Sequence, residues 1–254
     1  MIRQMLREIK NLIAFLTIIP VGMDQDCLTD AAKYMPLFPL IGAFIGLLAG
    51  ISAWLLFQIL PDIIAGILTL GLLLLITGLH HTDGLLDFGD GLMYQGPPEK
   101  KIEIMHDQRI GAGGLTLGLI TLLTSALCIA RLNADITIQS LIVSEASAKL
   151  SMVIGAWIGR SAHKGMNTYF IDAMHGQHRK KRLVAAVTYS FSVATGLLWI
   201  TGFIASISGI ITSLILVGIS NRNFGGVTGD VFGAMNELTR MVSLITILAV
   251  VRWI

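Results

Sequence analysis

Three aspartates in the stretch HHTDGLLDFGDGLMYQ raise the question of function. Asp83, Asp87 and Asp90 stand at i, i+4 and i+7, so a helix carries all three on one face. Carboxylates that close repel one another, and a state with all three ionised calls for a cation. An all-oxygen donor set suits Mg²⁺ or Mn²⁺, and Mg²⁺ is usually held by one or two carboxylates together with substrate phosphates. Gly84, Gly89 and Gly91 read as room for a polyphosphate against the backbone. Further on, IMHDQRIGAGG sets His106, Asp107 and Arg109 before Gly111–Gly114, where the next apolar run opens. A helix N-terminus with open amides beside a guanidinium is an anion site. The pattern fits an enzyme acting on a nucleotide diphosphate, with metal on one side of the diphosphate and cationic donors on the other.

Other polar residues carry weaker signals. Lys149 follows Glu145 by four residues inside an apolar run, and reads either as an i, i+4 ion pair or as a cavity-facing cation. The stretch GRSAHKGMNTYFIDAMHGQHRKKR mixes Arg160, His163, Lys164, Asn167, Asp172 and His175 with Tyr169 and Phe170. Its Arg179–Arg182 end reads as a lipid-headgroup anchor. NRNFGGVTGDVFGAMNELTR places Asp230 in a Gly-rich turn, where the plainer reading is a helix cap by Thr228 or Asp230. The histidines form no HExxH pattern. Cys27 and Cys128, in a loop and an apolar run, fit neither a disulfide framework nor a metal knuckle.

The elements that hold these residues must live in lipid. Apolar residues make up 54% of the chain and charged ones 13%, against roughly 25% charge in an ordinary soluble domain. Tyr34–Leu60, Ile63–Leu79, Ile110–Ala130 and Leu183–Asn221 are uncharged, and a crossing needs about 20 residues. The last is too long for one span and is divided near Thr201-Gly202. Ile136–Gly159 is span-length but contains Glu145 and Lys149, while Met241–Ile254 reads as a short final span or an interfacial helix. The expected fold is all-α: a polytopic integral membrane protein with about six to eight membrane helices, one domain over residues 1–254. No linker or strong internal repeat divides it, and the glycines (27 in all) are spread through the apolar runs, where they allow close helix approach. Residues 1–20, with Ile2, Met5, Leu6, Ile9, Leu12, Ile13 and Leu16 at helical spacing, read as an amphipathic interfacial helix rather than a cleavable signal.

Short joints are expected at Pro61-Asp62, Arg131–Asp135 and Thr201-Gly202. Long polar loops are expected at Asp24–Lys33, His80–Arg109, Arg160–Arg182 and Asn221–Arg240. Alternation puts every long loop on one side, and those loops hold Lys33, Lys100, Lys101, Arg109, Arg160, Lys164, Arg179–Arg182, Arg222 and Arg240, whereas the joints hold only Arg131. Lys and Arg mark the cytoplasmic side, so the expectation is a multi-pass cell-membrane protein whose aspartates face the cytoplasm.

Four separated stretches resemble one family. FLTIIPVG, GLHHTDGLLDFGDGL, IMHDQRIGAGG and FGGVTGDVFGAMNEL are similar, in order and spacing, to the motifs of the cobalamin synthase family, the adenosylcobinamide-GDP ribazoletransferases. CDP-alcohol phosphotransferases also use spaced aspartates after Asp-Gly, but the Ala-Arg that follows their first aspartate is missing here. The chain departs from the family where Lys149 and His106 stand at positions that often hold Arg, and Lys lacks the bidentate fork of Arg.

The resemblance implies that α-ribazole, or its 5′-phosphate, attacks adenosylcobinamide-GDP and that GMP leaves. On that basis Asp83 and Asp87 are expected to hold Mg²⁺ on the diphosphate. Asp90 completes the metal site or takes the proton of the attacking oxygen, and His80 is the alternative base or orients an aspartate. Arg109, Lys149 and the amides of Gly111 to Gly114 are expected to bind phosphate oxygens, with His106, Asp107 and Asn167 as further substrate contacts. Asp230 is expected to hold a second metal or the nucleotide. Lipid surrounds the chain, nothing points to nucleic acid, and a homo-oligomer is left open. Two other classes compete: a CDP-alcohol phosphotransferase and a cation-coupled transporter.

Overall fold

Apolar runs with no water at hand must satisfy their backbone internally, which in a bilayer leaves helices. The computed structural model describes residues 2–22 and 24–253, without the side chains of residues 2–5, and contains no strand among them. Helices α1 (Ile2–Leu16) and α2 (Cys27–Lys33) precede α3 (Phe38–Phe57), α4 (Asp62–Ile76), α5 (His80–Met93) and α6 (Pro98–Met105). They are followed by α7 (Ala112–Ala130), α8 (Thr137–Ile158), α9 (Met166–His175), α10 (Arg179–Phe224) and α11 (Gly229–Val251). Cys27 and Cys128 are free and buried.

Five helices, α3, α7, α8, α10 and α11, are long and apolar enough to cross a membrane, and α4 with α5 qualifies only as a pair bent by 96°. The bend is made at Gly78 and Leu79, both left-handed at φ 67 and 63. Helix α5 therefore turns sharply away from the axis of α4. As one rod the 46-residue α10 would be about 69 Å long, over twice the hydrocarbon thickness of roughly 30 Å. It is a hairpin. Leu198 and Trp199 leave helical geometry, and Phe191 meets Phe203 at 5.3 Å between ring centroids. The expected division near Thr201-Gly202 is thus found slightly earlier, and Gly202 sits so close to Ala194 that a Cβ would lie 2.0 Å from its carbonyl oxygen. Counted by length and composition, the described residues hold five such helices, six with the bent pair, and the turn in α10 divides one of them in two.

Helix α8 is the centre of the bundle, with 83% of its apolar window buried. Small residues let α3 lie against it: a Cβ on Gly42 or Gly46 would come within 2.4 and 2.3 Å of the carbonyl oxygens of Glu145 and Leu141. Outward faces carry exposed leucines, such as Leu115, Leu119, Leu123 and Leu127 along α7, as lipid contact requires.

All long connections gather at one end of the bundle. Arg182 donates to the carbonyls of Ala32 and Lys33 at 3.0 and 2.7 Å. Val227 donates to Arg160 at 2.7 Å, forming an isolated bridge between Ser161 and Val227, and Lys101 Nζ reaches Asn223 Oδ1 at 2.8 Å.

Several expectations about these connections are corrected. The loops expected over 24–33 and 80–109 contain helices α2, α5 and α6. No final segment begins at Met241, and Asn221–Arg240 is not a loop, because α11 runs from Gly229 to Val251 and Arg240 lies buried in its interior. Its charge is matched there by Glu145 and Glu237, a compensation that hydropathy does not register. The Arg179–Arg182 run is not only a headgroup anchor, since Arg179 stacks 4.6 Å over the Trp157 ring and Arg182 is the clamp just described. Of the N-terminal stripe, Leu12 and Leu16 are buried in protein rather than lipid, and the Ile2 and Met5 side chains lie outside the described residues.

Candidate active site

Helix α5 presents the three aspartates as their spacing predicts. Its opposite side, including Gly84, Leu85, Phe88 and Gly89, is buried, whereas Asp83 is exposed and Asp87 and Asp90 are half-buried. The glycines do a different job from the expected one. A Cβ on Gly84 would lie 2.9 Å from Asp230 Cα, one on Gly89 2.9 Å from Gly114 Cα, and one on Gly91 2.5 Å from Met105 Cγ. They hold α11, α7 and α6 against α5 and leave no room for a polyphosphate. The contact at Gly84 brings Asp230 to the aspartate face.

Burial first, then the charges of Asp83, Asp230 and Asp90, push the Asp87 carboxyl up to about 7. A divalent cation would relieve that repulsion, and the donors are all oxygens, so the residues fit Mg²⁺ or Mn²⁺. Among the described residues no three acidic, histidine or cysteine side chains form a ready-made metal cage.

Asp90 is already engaged. Its carboxylate accepts the Gly111 amide at 2.7 Å and the Gly114 amide at 2.8 Å, so it caps α7 and occupies the donors expected to meet phosphate. Asp90→Ala should therefore loosen the α6–α7 connection: proteolysis around residues 106–111 should quicken and stability fall by about 1–2 kcal/mol in thermal melts. Unchanged cleavage and melting would show that this carboxylate holds nothing. Arg109 is exposed and forked onto Asp107, with Nη2 to Oδ2 at 2.9 Å, and it holds the Asp107 carboxyl below its ordinary value.

Asp230, His80 and His106 line a cavity of about 680 Å³ bounded by α1, α3, α5, α9 and α11. Asn167 also lines it, but its amide nitrogen is spent on Ser161 Oγ at 2.7 Å and the Val227 carbonyl at 2.8 Å. It holds the 161–168 turn to the start of α11 and has no donor left for substrate. Thr228 is the α11 cap, its hydroxyl accepting the Val231 amide and donating to Asp230 Oδ2.

Lys149 is not a free cation. It is fully buried, donating to Asn236 Oδ1 at 2.5 Å and lying 3.7 Å from Glu145 Oε2. Arg240 joins Glu145 to Glu237, giving a neutral buried quartet of two cations and two carboxylates. The i, i+4 pair reading holds, with Arg240 as the stronger partner.

A family model described as cobalamin-5-phosphate synthase matches residues 8–248. The chain belongs to that family. Curated relatives are named adenosylcobinamide-GDP ribazoletransferase: one from Methanocella arvoryzae is 37% identical, with 94% of each chain covered. Another, from Thermococcus kodakarensis, is 31% identical over 96% of this chain and 99% of its own. A third, from Clostridium acetobutylicum, is 29% identical over 96% of both. No solved structure matches. What this cobalamin-5-phosphate synthase family member hides from a sequence reading is the buried tier under its site. His81 is buried and pushed well below the ordinary imidazole value, by desolvation first and then by the Lys149 and Arg240 charges. Only an assembled bundle places α8 and α11 cations beneath α5.

Proposed function

We propose that the chain transfers the adenosylcobinamide phosphoryl group from adenosylcobinamide-GDP to α-ribazole or its 5′-phosphate, releasing GMP. The observation that carries this reading is a cluster of carboxylates, Asp83, Asp87 and Asp230, of which Asp230 lines a cavity of about 680 Å³ in a membrane bundle. The names of the relatives and of the family supply the substrates. An acceptor that works with or without a 5′-phosphate attacks through another ribose hydroxyl. That oxygen bonds to the cobinamide-side phosphorus, the bond to the GMP oxygen breaks, and the hydroxyl proton passes to a base.

Asp87, with Asp83 or Asp230 beside it, would hold Mg²⁺, or Mn²⁺ in its place, together with substrate phosphates, and the ion when bound would withdraw charge from the diphosphate as GMP departs. His80, exposed beside Asp83 and lining the cavity, accepts the proton, since Asp90 is committed to the α7 amides. His106, which lines the cavity, and Arg109 would meet the guanylate phosphate, with Asp107 aiming the guanidinium. The loop-rich end faces the cytoplasm, because the cations collect there. Protein purified in detergent with Mg²⁺ should release GMP from adenosylcobinamide-GDP only when α-ribazole or its phosphate is present. CMP release from a CDP-alcohol, or ion flux in liposomes without either nucleotide, would overturn the reading.

A further inference from the structure

Where α5, α6 and the end of α10 meet, two hollows of about 450 and 570 Å³ adjoin, with Leu92, Arg222 and Asn223 common to both linings. Tyr94, Gln95 and Lys101 line the first, and Leu214, Ile215 and Gly218 the second. One groove therefore runs from polar to apolar along the last turns of α10. Its charge is one-sided. Among the described residues no acid lines either hollow, and Glu103, on the same helix as Lys101, is taken by Lys100 at 2.6 Å. Lys101 is only 9% exposed, yet its ammonium meets neutral acceptors alone, Asn223 Oδ1 at 2.8 Å and the Leu92 carbonyl at 3.3 Å. Buried charges are normally matched by opposite charge. Exposed Arg222 likewise has no carboxylate partner among the described residues.

Depth in the bilayer follows from the helix. Leu214, Gly218 and Arg222 recur at four-residue steps, so one face of α10 carries them in line. From Trp199, which is 82% exposed at the turn of α10, to Arg222 the helix rises about 35 Å, against a hydrocarbon core of roughly 30 Å. With Trp199 in one interface, where Trp is enriched, Arg222 stands at headgroup depth in the other. Leu214 lies about 12 Å further in, among acyl chains. Gly218 keeps the groove open between them, since a Cβ there would meet nothing within 4 Å.

We infer that this groove binds one anionic membrane lipid, its phosphate diester received by Arg222 and Lys101 and one of its chains lying along Leu214, Ile215 and Gly218. Basic pockets between membrane helices hold such headgroups. Free phosphate suits the cations but leaves the apolar half of the groove without a use, and a zwitterionic lipid brings an ammonium that two protein cations repel. The bound lipid would fasten α10 to the 94–98 connection, directly behind the aspartate helix. The site goes beyond the transfer reaction and does not depend on it.

The test uses the full chain in detergent, with bound lipid counted by native mass spectrometry during titration with phosphatidylglycerol or phosphatidylcholine, and with inorganic phosphate as competitor. The parent should bind phosphatidylglycerol at least about fivefold more tightly than phosphatidylcholine, roughly the worth of one basic side chain at an anionic headgroup. Arg222→Gln should lower the phosphatidylglycerol affinity by about that factor and leave phosphatidylcholine unchanged. Gly218→Leu fills the groove where nothing stands within 4 Å, so it should fold like the parent and weaken phosphatidylglycerol to a similar extent. Lys181→Gln, which removes an exposed cation at the start of α10, should change neither affinity. Equal binding of the two lipids by the parent, or parental phosphatidylglycerol affinity in either Arg222→Gln or Gly218→Leu, would overturn the site. So would an equal loss in Lys181→Gln, which means diffuse surface charge, or displacement of the lipid by inorganic phosphate, which means a free-anion site. Lipid counting does not use GMP release, so failure of the transfer reading leaves this result standing.

Discussion

Replacing Asp87 by Asn should lower GMP release from adenosylcobinamide-GDP by at least about a thousandfold, the loss expected when several kcal/mol of charge stabilisation on a departing phosphate disappear. Asn has the size of Asp and reproduces the protonated carboxylic acid, which burial and three neighbouring carboxylates already favour at Asp87. The substitution therefore removes the charge and little else. Helix α5 keeps its packing, because the residues that seat it against α11 and α7 are Gly84, Leu85 and Gly89 on the other side. Size-exclusion behaviour and circular dichroism should be unchanged, and Asp87→Glu should recover part of the rate. Turnover at the parental level in a folded Asp87→Asn protein would mean that the aspartate face plays no part in the reaction.

The second large effect is on stability. Arg240→Met would leave Glu145 and Glu237 facing each other in the bundle interior, where both are buried and Arg240 is their shared partner. Breaking a buried ion pair on one side costs about 3–5 kcal/mol. In detergent the melting temperature should fall by roughly 10 °C or more, and expression should drop with it. Arg240→Lys should be intermediate, since one ammonium replaces a fork that reaches both carboxylates. Neutralising the carboxylates as well, with Glu145→Gln and Glu237→Gln added to Arg240→Met, should restore much of the loss. Arg240→Met melting with the parent would show that the quartet does not hold α8 to α11. Because Lys149 and Arg240 also act on the buried His81 from below, partial lesions in the quartet should reach the site before they unfold the bundle.

The parts legible in the sequence were those with a short-range signature. Helical periodicity placed Asp83, Asp87 and Asp90 on one face of what proved to be a helix, and the long uncharged runs marked α3, α4, α7 and α10. Alternation of spans put the polar connections at one end, where the clamps among Arg182, Val227 and Lys101 hold them. What failed was whatever depended on a partner from far along the chain. The loop expected up to Arg240 is interior helix because Glu145, 95 residues earlier, neutralises it. Lys149 read equally as the i, i+4 partner of Glu145 or as a cavity-facing cation, and only the arrival of Asn236, 87 residues on, decides for the buried pair. Glycines beside the aspartates looked like space for phosphate, but the backbones of α7 and α11 and the Met105 side chain fill that space. Asp90 was expected to complete the metal site or take a proton, and only the return of the chain at Gly111 shows it capping α7. The cluster of Phe15, Phe38, Phe170 and Phe232 draws one ring from each of four helices and has no local pattern to betray it.

The central claim is that a divalent ion is held by Asp87, with Asp83 or Asp230, while substrate is bound. Mn²⁺ binding followed by electron paramagnetic resonance tests it without relying on turnover. With adenosylcobinamide-GDP present, the parent chain should quench the six-line signal of free Mn²⁺, and Asp87→Asn should weaken that binding by at least about tenfold, as loss of one carboxylate ligand from an oxygen site requires. Equal Mn²⁺ affinity in the two proteins would contradict the account.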